Sequence, residues 1–161
     1  MSYEMGFVKN NKDGLTSYSE DNYYWHWCGW DYTQLHDEIA VLCGDAQLGE
    51  FGEDYVIPVE NLAFINEIWD KIQNCEFYRK YMEIMEIDPW LADEFFEKVD
   101  INDKVTFALA FSLPEKYLKY QPIATILYRS TSDGYLIVES LKEAYDKMIA
   151  DGVKDVILYG G

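Results

Sequence analysis

Residues 105–113 read VTFALAFSL, and the architecture of the C-terminal third turns on that alternation. Val105, Phe107, Leu109, Phe111 and Leu113 occupy every second position, with Thr106, Ala108, Ala110 and Ser112 between them. Period-two alternation predicts a strand with one large-residue face and one small-residue face. Beyond a connector from Pro114 to Pro122, Ile123–Arg129 reads as a second strand and Ser132-Asp133-Gly134 as a turn. Ser140 and Glu143 fit a capping box opening a helix that ends at Gly152, with Leu141, Ala144, Tyr145 and Met148 inward. Val153–Tyr159 follows as a last strand. Strand, helix and strand at this spacing predict one βαβ unit, with the right-handed crossover such units adopt.

Strands are also expected at the other end. Residues 3–8 and 15–28 flank Asn10-Asn11-Lys12-Asp13-Gly14, a hairpin-turn signal. Within YYWHWC, residues 23–28, Tyr23, Trp25 and Trp27 fall on one face and Tyr24, His26 and Cys28 on the other. Both faces are bulky, which points mainly to core packing, with Trp25 or Trp27 in the core.

Between these ends the pattern is helical. Tyr32, Leu35, Ile39 and Leu42 form a stripe on a helix expected to start at an Asp31 cap and stop at Gly44. From about 59 to 99 helical signal dominates. Leu62, Ile65, Ile68, Trp69 and Ile72 form one apolar face, and a break is expected near Asn74. Tyr78, Tyr81, Met82 and Met85 carry a second piece. Asp88-Pro89 restarts the helix, aspartate as cap and proline in the first turn, with Leu91, Phe95 and Val99 inward. The expectation is one α+β domain over residues 1–161: a mixed sheet from N- and C-terminal strands, packed with a central group of helices.

Length and composition suit that reading. At 161 residues with 49% apolar and 17% aromatic content, the chain can bury a core despite its net charge. No apolar run approaches the roughly 20 residues of a membrane span, and MSYEMGFVKN lacks a signal-peptide core. Three widely spaced cysteines, Cys28, Cys43 and Cys75, are expected to be reduced and to pack as small hydrophobes. A cytoplasmic protein without a cofactor is the resulting expectation.

The charge is unevenly placed. Of a net −17, residues 31–100 carry −14, from 18 acids against Lys71, Arg79, Lys80 and Lys98. Nucleic-acid binding needs the opposite sign, because phosphate contacts are made by lysine and arginine. The functional expectation is therefore a non-enzymatic acidic module that docks on a basic protein surface, such as the groove of a nucleic-acid-binding enzyme. It would act as an inhibitor or DNA mimic. Anti-CRISPR inhibitors and nuclease-immunity proteins use acidic surfaces in this way, an analogy of charge alone. The residues expected to carry the contact are Glu83, Glu86, Asp93, Glu94, Glu97 and Asp100, crowded around the Asp88-Pro89 restart. A solvated face that only aids solubility, in a structural or oligomeric module, is one alternative.

The other alternative is a small enzyme using carboxylates or a His/Cys metal site. His26, Cys28, His36 and Cys43 are zinc-type ligands, but their spacing includes no short chelating pair such as C-x2-C. No phosphate-cradling glycine loop or G-x-S-x-G elbow occurs. The final Leu158-Tyr159-Gly160-Gly161 reads as a strand with a flexible exit.

Overall fold

The computed structural model describes residues 3–10, 23–28, 30–98, 105, 107–129 and 131–161, with residues 3, 24–28, 30–32 and 131–136 described by backbone alone. It is an α+β protein. Strands β1 (Tyr3–Lys9), β2 (Tyr24–Cys28), β3 (Tyr55–Pro58) and β4 (Asp155–Gly160) form one sheet in the order β2-β1-β4-β3. Every pairing among these four strands is antiparallel, so the expected mixed sheet and its βαβ unit are not formed among the described residues. The N-terminal hairpin partner is the short β2, and the turn expected at 11–14 lies outside the described residues.

One face of the sheet carries Met5, Phe7, Ile57, Val156 and Leu158, all fully or almost fully buried. Helix α1 (Trp30–Gly44) packs on that face through Leu35, Ile39, Ala40 and Cys43. Register places Tyr24, His26 and Cys28 on the Met5–Phe7 face, and Trp25 and Trp27, opposite Gly6 and Glu4, on the face away from α1. The side chains of Trp25 and Trp27, expected in the core, lie outside the described residues.

The C-terminal third departs most from expectation. Residues 105 and 107–109 are helical, and the segment closes with hydrogen bonds from Ala110, Phe111 and Ser112 amides to the carbonyls three residues back. Phe107 and Phe111 are buried, whereas Val105 and Leu109 are about half exposed. A strand would put all four on one face; an i, i+4 pair on a helix separates them. Ala108 and Ala110, read as a small strand face, are strong helix formers. Residues 121–129, expected as a strand, are helix α5 (Gln121–Arg129), which buries Ile123, Ala124 and Leu127. Its first turn is held by Gln121, whose Oε1 accepts from the Leu113 amide and whose Nε2 donates to the Phe111 carbonyl, both at 2.9 Å. Pro122 fits there because first-turn amides lack intrahelical partners. Helix α6 (Thr131–Asp151) starts nine residues before the expected Ser140 cap and runs through the predicted turn at Ser132-Asp133-Gly134. It ends as predicted. Gly152 has φ 68°, and the Gly152 and Val153 amides bond to Ile149 and Met148 carbonyls, a Schellman closure.

In the middle, α2 (Phe64–Gln73), α3 (Glu76–Ile87) and α4 (Pro89–Lys98) match the predicted breaks at Asn74 and Asp88. The inward residues of α4 are Ala92, Phe95 and Phe96; Leu91, expected inward, is exposed, and Val99 lies outside the described residues. Phe77, Tyr78, Tyr81, Phe95 and Phe96 form an aromatic layer around Phe107 that ties α3 and α4 to Phe111 and to Tyr128 of α5.

The predicted glycine stop of α1 works differently. Asp45, with φ 55°, takes the left-handed position after the helix, and the Ala46 amide closes on the Ala40 carbonyl. Aspartate tolerates that conformation better than most residues. Gly44 lets α1 approach β3 closely, since a Cβ there would sit 2.7 Å from Ile57 Cδ1 and 3.2 Å from the Val56 carbonyl oxygen.

Candidate functional site

Two places concentrate the candidate residues. The first is the corner between α3 and α4. Asp88 alone links the helices. Its amide donates to the Ile84 carbonyl at 2.8 Å, closing α3, and its Oδ1 accepts from the Trp90 amide at 3.0 Å, capping α4. One residue thus ends one helix and starts the next, which fixes the corner. Glu83 and Glu86 on α3 and Asp93, Glu94 and Glu97 on α4 are all exposed; Asp100 lies outside the described residues. From Glu76 to Lys98 there are seven acids against three bases. At the start of α3, Lys80 pairs with Glu76 at 3.7 Å, both exposed, a contact of little energetic weight.

The same corner carries a feature the sequence reading missed. Ile87 is 84% exposed, Trp90 82% and Leu91 51%. They are spaced i, i+3, i+4, which reads as a buried helical stripe. The spacing spans the Asp88-Pro89 break, however, so it does not continue the inward faces of α3 or α4. That interruption was the available signal.

The second place surrounds His36, which is fully buried on α1. Its Nδ1 lies 2.9 Å from Asp37 Oδ1, while Nε2 is buried without a hydrogen-bond partner. Phe51 and Tyr55 meet the imidazole in edge-to-face geometry, with ring centroids at 5.1 and 5.8 Å. Gly160 closes the cage, because a Cβ there would lie 2.7 Å from Nε2. The final glycines are not a flexible exit: Gly160 is in β4, and Gly161 and Glu4 exchange two backbone hydrogen bonds at 2.9 and 3.0 Å.

Of the four zinc-type residues weighed in the sequence, the structure describes the side chains of His36 and Cys43. His36 and Cys43 are on one helix but have separate surroundings. Cys43 Sγ faces the Asn61 carbonyl at 3.6 Å, and Asn61 Nδ2 donates to the Cys43 carbonyl at 2.8 Å. Among the described residues no three His, Cys, Asp or Glu side chains are grouped to hold a metal, and the side chains of His26 and Cys28 lie outside them. Burial pushes the Cys43 thiol up to about 12, opposed only in part by Lys119, so the thiolate that would attack or ligate is scarce. In the folded protein Cys43 should therefore resist iodoacetamide at pH 8 and react once denaturant is added. Peptide mapping that finds Cys43 alkylated as fast as a free thiol before unfolding would overturn its assignment as an inert core residue.

Open grooves also lie on the surface of the described residues. One, of about 470 Å³, is lined by Asp70, Lys71, Cys75, Leu109 and Ser112; Lys71 Nζ there donates to the Ser112 carbonyl. Another, of about 700 Å³, lies along β3 and α6 beside Val56 and Ile149. Neither brings a general base to a nucleophile among its described residues. No helix of the described residues is long and apolar enough to cross a membrane.

Compared with known proteins, the chain matches no family model, no curated protein and no solved structure.

Proposed function

We propose that this chain is a non-enzymatic acidic module that docks through α3 and α4 on a basic surface of a partner protein. A nucleic-acid-binding enzyme presents such a surface, which would make the chain an inhibitor or DNA mimic. The observation that carries the reading is that Glu83, Glu86, Asp93, Glu94 and Glu97 are all exposed, on two helices joined by one fixed residue. Mutual repulsion among such carboxylates is relieved when lysine and arginine approach, and the same field speeds encounter.

The reading is tested with the parent and a Glu94→Lys/Glu97→Lys variant immobilised side by side. Basic proteins captured from nuclease-treated lysate are identified, and the association rate of each is measured over a salt series. The variant should associate about tenfold more slowly at low salt. The difference should shrink as the screening length falls to about 8 Å at physiological ionic strength. Both residues are exposed, so the melting temperature should barely move. Equal association of parent and variant at every salt concentration would leave the acidic face a solubility feature.

A further inference from the structure

We infer that Ile87, Trp90 and Leu91 are the apolar anchor of a docking surface for a cationic protein, one presenting an apolar pocket rimmed by lysine and arginine. The inference rests on the electrostatic docking reading and specifies what the partner must look like. Scattered exposed leucines need no explanation, but a tryptophan that is 82% exposed three residues after an isoleucine at 84% is a different matter. Tryptophan is among the residues most enriched where binding energy concentrates, and such anchors work best when ringed by polar groups that exclude water.

Acids flank the three positions at helical offsets. Glu83 is one helical turn before Ile87, Asp93 and Glu94 are one turn after Trp90, and Glu94 is also i+3 from Leu91. Residues at these offsets are neighbours on a helix surface, roughly 5–6 Å apart at Cβ. All of these acids are exposed. The anchor is also held before any partner arrives, since Asp88 closes α3 and caps α4 with its own backbone and side chain. Less ordering is then required on binding.

Charge selects the occupant. A second copy of the chain meeting corner to corner would bring two sets of flanking acids together, which like-charge repulsion opposes. A membrane surface with anionic headgroups is repelled in the same way. A cationic protein pocket satisfies both the apolar centre and the flanking acids.

The probe is a synthetic amphipathic helix with leucines on one face and lysine and arginine on the other. Its control keeps the lysines and arginines but replaces the leucines with serine. The parent should bind the amphipathic peptide about tenfold more tightly than the control, and Trp90→Ala and Ile87→Ala/Leu91→Ala should each remove about tenfold of that affinity. Amide chemical-shift changes should centre on residues 83–94. Because all three side chains are exposed, both variants should keep the parental circular dichroism and melting curve; the double variant serves if Trp90→Ala alone fails to fold. Parental affinity in both apolar variants, with weakened binding in Glu94→Lys/Glu97→Lys, overturns the anchor and leaves electrostatic docking standing. Parental affinity in all three variants overturns both. A parent dimer that Trp90→Ala disperses, or Trp90-dependent binding to phosphatidylcholine vesicles, assigns the patch to a different occupant and also overturns the inference.

Discussion

Replacing Phe107 by alanine should lower the unfolding free energy by about 3–5 kcal/mol, a large share of the ~5–15 kcal/mol that holds a typical domain together. Phe107 is 5% exposed and is the hub of the aromatic layer. Its ring stacks on Tyr78 at 5.6 Å and 7°, and it meets Phe77, Phe96, Phe111 and Tyr128 at 5.4–6.0 Å. Such ring pairs add about 0.5–1.5 kcal/mol each beyond the area they bury. Truncation therefore removes both the transfer term and the geometry holding α3 and α4 to α5. Leu109→Ala is the informative companion. On a strand it would share Phe107's buried face and cost a comparable amount. Here Leu109 is 59% exposed, and its loss should stay within about 0.5 kcal/mol. Urea titrations of the two variants decide the matter: similar midpoints, in either direction, would contradict the helical assignment of this segment.

That comparison also shows why the sequence was legible in some places and opaque in others. The helices from 64 to 98 could be read because their apolar residues recur at helical spacing and their ends carry local chemistry, Asn74 at one break and Asp88-Pro89 at the next. Residues 105–113 satisfied two periods at once. The alternation was visible, while the i, i+4 pair Phe107–Phe111 was hidden within it, and tertiary packing chose the pair. Residues 123–129 misled through their isoleucines, since β-branched composition is only a weak preference that burial of one face overrides. Losing those two strands removed the predicted βαβ unit and left β4 to pair antiparallel with β1 and β3. At the candidate site the acids were legible because charge is a property of the residue. The exposure of Ile87, Trp90 and Leu91 was not, because it depends on how two helices meet at Asp88.

Gly49→Ala should destabilise the protein by about 1–3 kcal/mol or more through overpacking, and it should do so at the cover of His36. A Cβ at Gly49 would lie 2.4, 2.6 and 2.8 Å from the O, Cα and C atoms of Asp37. These are backbone atoms in the middle of α1, with no rotamer to move. The chain at 48–51 would have to lift from the helix. Tyr55, whose hydroxyl accepts the Glu50 amide at 2.9 Å, would follow with Phe51, and the imidazole edge between them would open. Gly160→Ala attacks the same cage from the other side, but there the collision is with a side chain, His36 Cδ2 at 2.6 Å and Nε2 at 2.7 Å. The two variants should therefore differ in a double-mutant cycle with His36→Ala. Deleting the imidazole makes room for the Gly160→Ala methyl, so that pair should couple favourably by about 0.5–3 kcal/mol. It makes no room at the Asp37 backbone, so Gly49→Ala and His36→Ala should show no such relief. Gly52→Ala is the control for loop strain alone: its φ is 110°, but a Cβ there meets nothing within 4 Å. Its cost should be the backbone term, about 1 kcal/mol or somewhat more, and insensitive to His36. If relief by His36→Ala appeared for Gly49→Ala and not for Gly160→Ala, the packing assigned to this cage would be wrong, and the buried imidazole would need another explanation.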